Sequence, residues 1–261
     1  ARRVDCALSS SDALAAPGPT NTGFNLNAAG DQVSLFRSLA LGGALIDRVV
    51  FGQQVPDFSL ARSPDGRGPF ALGVPTRDAL NTAAGTASVS SVRINEWVPT
   101  LASGASSWFE LFNTAAQPVL LGGNYLTDQL TIKTRYQVPP LTFLGGAGTS
   151  RWIQLIADGD SSATPNHVNF TLAPGTTLGF YTAAGTALDT LTTAAQPVGT
   201  SQGRFADGAG IILTMPPTPG AANQRFSPDT DGDGMPDAWE LVYGFDPKNP
   251  ADADLVVVGQ R

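Results

Sequence analysis

Five carboxylates fall within twelve consecutive residues near the C-terminus, in the stretch DTDGDGMPDAWE. They are Asp229, Asp231, Asp233, Asp237 and Glu240, and Gly234 stands among them. Counted from Asp229, the acids occupy places 1, 3, 5, 9 and 12, with glycine at 6. Like charges this dense repel unless water or a cation screens them. The spacing is that of an acidic loop that wraps calcium, a hard cation taking six to eight oxygens. Alternation lets Asp229, Asp231 and Asp233 converge on one point. Gly234 permits the sharp turn that brings the Met235 carbonyl inward. Asp237 is expected to reach the ion directly or through a water, and Glu240 to bind with both oxygens. Magnesium fits less well, because it prefers fewer protein ligands.

Few elements are needed to hold such a loop. Pro236 suits the first turn of a helix that DAWELVY continues to a stop at Gly244. The preceding NQRFSPDT cannot form a helix, so the two-helix frame of an EF-hand is missing. Asp246, Asn249, Asp252 and Asp254 could begin a second, incomplete loop.

No other constellation points to catalysis. Glu96 and Glu110 could be paired for acid–base work, but each lies in a strand-like run, where a carboxylate commonly accepts backbone N–H bonds. His167 is the only histidine and Cys6 the only cysteine, so a triad, a zinc site and an internal disulfide all lack partners. No phosphate loop, dinucleotide glycine motif or serine elbow occurs. The net charge of −7 and only two lysines, Lys133 and Lys248, exclude the basic footprint of a general nucleic-acid binder. No run approaches the ~20 apolar residues of a membrane span.

The rest of the chain contains a repeat. Asp47, Ser59, Arg62 and Asp65-Gly66 recur as Asp189, Ser201, Arg204 and Asp207-Gly208, each offset by 142. PTRDALN (75–81) matches PTPGAAN (217–223) in the same register, and GFNLNAAGDQVSLF resembles NFTLAPGTTLGFY with one residue inserted. By this offset the second copy starts at Ser91, and the first is expected to lack roughly fifty N-terminal residues. The Asp–Arg spacing of 15, kept in both copies, suits an ion pair locking neighbouring strands. Short β-branched and aromatic runs (SVRINEWV, WFELFN, VLLGGNYLTD, WIQLIA, TLGFYTA, IILTM) alternate with Gly, Pro, Asn and Asp at sandwich-like spacing. The expected organisation is all-β. Residues 1–81 form the C-terminal part of a first sandwich, 82–90 a linker, 91–223 a complete sandwich and 224–261 an acidic tail.

INEW (94–97), WFELFN (108–113), VLLGGNYLTD (119–128), LDTL (188–191), SQGRFADG (201–208) and PTPGAAN together resemble a lamin-tail domain. That resemblance implies an immunoglobulin-like β-sandwich, here in tandem. In the first copy Arg77-Asp78 replaces the Pro-Gly of the closing turn. The tail DTDGDGMPDAWELVYGFDPKNP resembles thrombospondin type 3 repeats and their bacterial relatives, which fold around calcium. Together these imply a non-enzymatic bacterial protein, secreted or on the cell surface, with spacer or adhesive modules. Its partners would be calcium and another protein or a surface polysaccharide, with Trp152 and Tyr136 as candidate contacts. The alternative is an accessory region of an exported hydrolase, such as a nuclease or phosphoesterase, whose catalytic domain lies outside this chain.

Overall fold

A computed structural model describes residues 24–99, 105–162, 166–226, 228–237, 240–241 and 244–253. Among these residues sixteen strands follow in chain order. The first five are β1 (Asp31–Phe36), β2 (Leu45–Phe51), β3 (Ser59–Arg62), β4 (Phe70–Val74) and β5 (Thr82–Ala83). Next come β6 (Val92–Val98), β7 (Ser107–Asn113), β8 (Val119–Leu120), β9 (Tyr125–Thr127), β10 (Tyr136–Gln137) and β11 (Phe143–Leu144). The last are β12 (Trp152–Ala157), β13 (Thr177–Tyr181), β14 (Ala187–Thr192), β15 (Ser201–Arg204) and β16 (Ile212–Met215). The chain is all-β and its sheets are antiparallel. Among the described residues no helix is long and apolar enough to cross a membrane.

Residues 92–215 form a β-sandwich. One sheet runs β12-β7-β6-β15-β16 and the other β10-β9-β13-β14. Period-two alternation supplies the core: in β12, Ile153, Leu155 and Ala157 point inward while Trp152, Gln154 and Ile156 are half-buried. These meet Ile94, Phe109 and Leu111 from β6 and β7, and Leu178, Phe180 and Leu191 from the facing sheet, in one contiguous cluster. A bulge between Ile94 and Glu96 breaks the alternation in β6. It lets Asn95, Glu96 and Trp97 all be buried. VLLGGNYLTD is not one strand. Gly122-Gly123 splits it into β8 and β9, and Gly123 has a positive φ of 86°.

The repeat is present in three dimensions. β2, β3 and β4 correspond to β14, β15 and β16 at the offset of 142, and β1 corresponds to β13. Pairing follows it: Ser59↔Gly73 and Arg62↔Phe70 become Ser201↔Met215 and Arg204↔Ile212. Hydrogen bonds follow it too. Asn81 N–H donates to Asp65 and Asn81 Nδ2 to the Arg62 carbonyl. In the second copy Asn223 makes the same two bonds to Asp207 and Arg204. Asp78, where the second copy has Gly220, holds the same left-handed conformation, with φ 59° against 74°.

The Asp–Arg pairs form in both copies, Arg62–Asp47 at 2.8 Å and Arg204–Asp189 at 3.1 Å. They do not lock neighbouring strands. In the second copy Asp189 lies on β14 and Arg204 on β15, which belong to facing sheets, so the pair ties the sandwich across its thickness. Residues 82–90 are structured: β5 pairs with β4, Ala84 N–H donates to Leu72 and Ala87 N–H to Pro118. Gly52, Gln53 and Gln54 bond to Pro140, Phe143 and Leu141. There Val55, Leu72 and Phe143 form a second apolar cluster that joins the two copies.

Candidate metal centre

The acidic tail follows the closing turn of the sandwich. Asp229 acts as the loop's internal cap. Its two carboxylate oxygens accept the N–H of Gly232 (2.8 Å) and Gly234 (3.0 Å). Both glycines have positive φ, 76° and 94°, which lets the chain turn back on Asp229. Asp231 Oδ1 accepts from Asp233 N–H and Asp233 Oδ1 from Met235 N–H, two successive Asx turns. One oxygen of each carboxylate is thereby occupied. The other, Oδ2 in both, is buried without a partner.

Pro236 then opens a helical turn to which Asp237, Glu240 and Leu241 belong. Glu240 N–H bonds to the Pro236 carbonyl, and Phe245 N–H returns to the Glu240 carbonyl across Gly244, whose φ is 81°. This is the left-handed C-terminal stop that the sequence expects at Gly244. Glu240 is fully buried, and neither of its side-chain oxygens has a partner. Burial pushes its carboxyl up to about 7, and the charges of Asp231, Asp233, Asp252 and Asp237 add to the effect. Asp231 is raised for the same reasons, burial first and then its acidic neighbours.

Asp229, Asp231 and Asp233 each place one oxygen within 4.8 Å of the others, and so do Asp233, Glu240 and Asp252. Asp233 belongs to both groups and joins them. Asp252 is the residue that spacing did not assign to this loop. Asp246 Oδ1 accepts from Lys248 N–H, Asn249 N–H bonds to the Asp246 carbonyl and Ala251 N–H to Asn249 Oδ1. These turns carry Asp252 back to Asp233 and Glu240. Asp252 Oδ2 accepts from Asp246 N–H, and its Oδ1 is buried and bare. The sequence marks Asp252 as a member of a second, incomplete loop with Asp246, Asn249 and Asp254, whereas here it joins the first. Asp254 lies outside the described residues.

Asp237 is used differently. Its two oxygens accept from Thr230 N–H (2.8 Å) and Thr230 Oγ1 (2.7 Å), and it joins neither group of converging acids. It locks the loop's entry to the helical turn. The backbone of Met235 is tied to Asp233 through its N–H. These acidic groups could hold a metal ion. Among the described residues, Asp231, Asp233, Glu240 and Asp252 together present five buried oxygens with no hydrogen-bond partner. Buried carboxylate oxygens are costly when bare. A cation held by either group would relieve part of that cost.

The remaining candidates stand elsewhere. Glu96 accepts the N–H and hydroxyl of Thr218, and Glu110 accepts Gly220 N–H at 2.6 Å. These two fully buried carboxylates clasp the closing turn 216–223 to the sheet. His167 Nδ1 meets Asp158 at 2.6 Å. Tyr136 is core, and Trp152 packs on Phe112 with ring centroids 5.4 Å apart. Cys6 lies outside the described residues. Comparison of the chain with family models, with curated proteins and with solved structures returns no match.

Proposed function

We propose that the chain is a non-enzymatic, calcium-binding structural or adhesive module that works outside the cell. In this reading the sandwiches are of the immunoglobulin-like, lamin-tail type, and the tail is a thrombospondin type 3-like calcium loop. Asp229, Asp231, Asp233, Met235, Asp237 and Glu240 supply the motif, with Asp252 as an added ligand. The observation that carries it is Glu240: a fully buried carboxylate with both oxygens bare, facing Asp231, Asp233 and Asp252. Calcium suits this donor set because every side-chain donor is a hard oxygen and the loop can offer six or more. Extracellular calcium modules bind in the ~10⁻⁴–10⁻³ M range, which matches a loop that builds no core of its own and favours work outside the cell.

Isothermal titration of the full chain with calcium tests the proposal. The expected result is one saturable site that Glu240→Gln weakens sharply, with EGTA leaving the sandwich of 91–223 folded by near-ultraviolet circular dichroism. No calcium binding, or equal binding by Glu240→Gln and the unaltered chain, would refute it.

A further inference from the structure

β3 is an edge strand where its counterpart is not. In the second copy β15 lies between β16 and β6, whereas in the first, among the described residues, β3 pairs with β4 alone. The groups that β6 engages in the second copy recur in the first with no strand opposite them among the described residues. Ile94 gives its N–H to Asp189 (2.9 Å), and its carbonyl accepts Arg204 Nε (2.9 Å). The counterparts Asp47 and Arg62 keep their ion pair, but Arg62 Nε makes no hydrogen bond among the described residues. Exposure registers the difference. The side chains of Arg204 and Asp189 are 12% and 11% exposed, those of Arg62 and Asp47 27% and 48%.

The next two residues of β6 also have their receptors duplicated. Asn95 donates to Asp207 and accepts Gly208 N–H, and Glu96 accepts both donors of Thr218. Asp65, Gly66 and Thr76 stand at the corresponding places. A cavity of about 500 Å³ opens there, lined by Arg62, Gly66, Phe70, Thr76 and Asn81. Beside it a cavity of about 540 Å³ is lined by Val33, Val49, Phe51, Val55, Leu60 and Phe70. Val33 and Val49 pair as Leu178 and Leu191 do, and that second pair packs in one cluster with Ile94 and Phe109. The apolar cavity therefore marks where residues of a β6-like segment belong.

We infer that the β3 edge is a strand-acceptor site for an extended segment carrying an apolar–Asn–Glu triplet, supplied by polypeptide beyond these 261 residues. The segment runs antiparallel to β3. Its apolar residue gives backbone N–H and carbonyl to Asp47 and Arg62. Its asparagine meets Asp65 and Gly66, and its glutamate meets Thr76. Main-chain pairing supplies affinity and the triplet supplies register and specificity. The chain's own Asn-Glu step occurs once, at Asn95–Glu96, and is already seated on β15. Residues 1–23 contain no such step, and a second copy would have to open its own sandwich to offer one.

The test titrates the full chain with a labelled synthetic peptide of sequence SVRINEWVP (91–99), read by fluorescence anisotropy and analytical ultracentrifugation. Expected are saturable one-to-one binding, about tenfold weaker binding for the peptide with Asn-Glu replaced by Ala-Gln, and a similar loss for the chain bearing Thr76→Val. Circular dichroism of Thr76→Val confirms that the fold is kept. Absence of binding, or equal affinity for both peptides, overturns the inference. Binding that appears only after deletion of residues 1–23 assigns the site to the chain's own N-terminus. Concentration-dependent dimers that the peptide dissolves assign it to a second copy. Either of those outcomes also overturns it.

Discussion

Glu110→Gln is expected to make the sandwich more stable at neutral pH while leaving it nearly unchanged in mild acid. Glu110 is fully buried in β7 opposite Glu96, with Oε2 on Gly220 N–H and Oε1 without a partner. Burial drives its carboxyl from an ordinary 4.5 up to about 8; the Gly220 N–H opposes this, and the charge of Glu96 reinforces it. The folded chain thus holds this proton more tightly than the unfolded chain. Unfolding releases the proton between roughly pH 4.5 and 8, so Glu110's contribution to stability falls as pH rises through that window. Between pH 5 and 7.5 the loss is about 3 kcal/mol, at ~1.4 kcal/mol per unit of separation. Glutamine keeps the acceptor for Gly220 and does not titrate. Urea unfolding of both proteins at pH 5 and 7.5, followed by fluorescence of the buried Trp97 and Trp108, should show the difference between them shifting by that amount in favour of the variant. A shift below ~1 kcal/mol would show that Glu110 is solvated or ionised in the folded chain, and the reasoning would fail.

Two further outcomes are expected. Arg204→Ala should cost about 3–5 kcal/mol in urea unfolding, because it strands Asp189 in a nearly closed site, whereas Arg62→Ala, at the exposed copy of the same pair, should cost under ~1 kcal/mol. Asp252→Asn should weaken calcium binding at least ~10-fold in calorimetric titration, and Asp237→Asn should weaken it less, since Asp237 holds Thr230 rather than a bare position among the acids.

Much of the architecture was legible because it rests on period and spacing. SVRINEWV, WFELFN, WIQLIA and TLGFYTA each became a strand, and the offset of 142 between Arg62 and Arg204 reappears as identical strand pairing. What was not legible depends on three-dimensional return. Asp47 and Arg62 are fifteen residues apart, a separation that fits two strands of one sheet as well as two facing sheets, and only packing decides between them. Asp252 lies twelve residues beyond Glu240, and its arrival at Glu240 depends on turns at Asp246 and Asn249, whose spacing suggests a separate loop rather than a return to the first. Asp237 occupies a ligand place in the motif, but Thr230 offers it two donors at close range. The burial of Glu96 and Glu110 was likewise hidden, since the turn that bonds to them lies more than 100 residues away.

The clasp of residues 216–223 on Glu96 and Glu110 has a mechanical meaning. Tension along the chain enters the sandwich ahead of Val92 and leaves it beyond Asn223, so the bonds of Asn223 to Asp207 and Arg204 and the clasp carry the load first. Release of both sets frees eight residues, about 27 Å of slack at full extension. The pull then passes to β6 and β16, which flank β15 and run in the same direction. Val92 and Met215 lie at opposite ends of that ladder, so its hydrogen bonds are sheared together rather than unzipped singly. A stretched module of this kind yields in two stages, a short compliant give followed by a stiff hold.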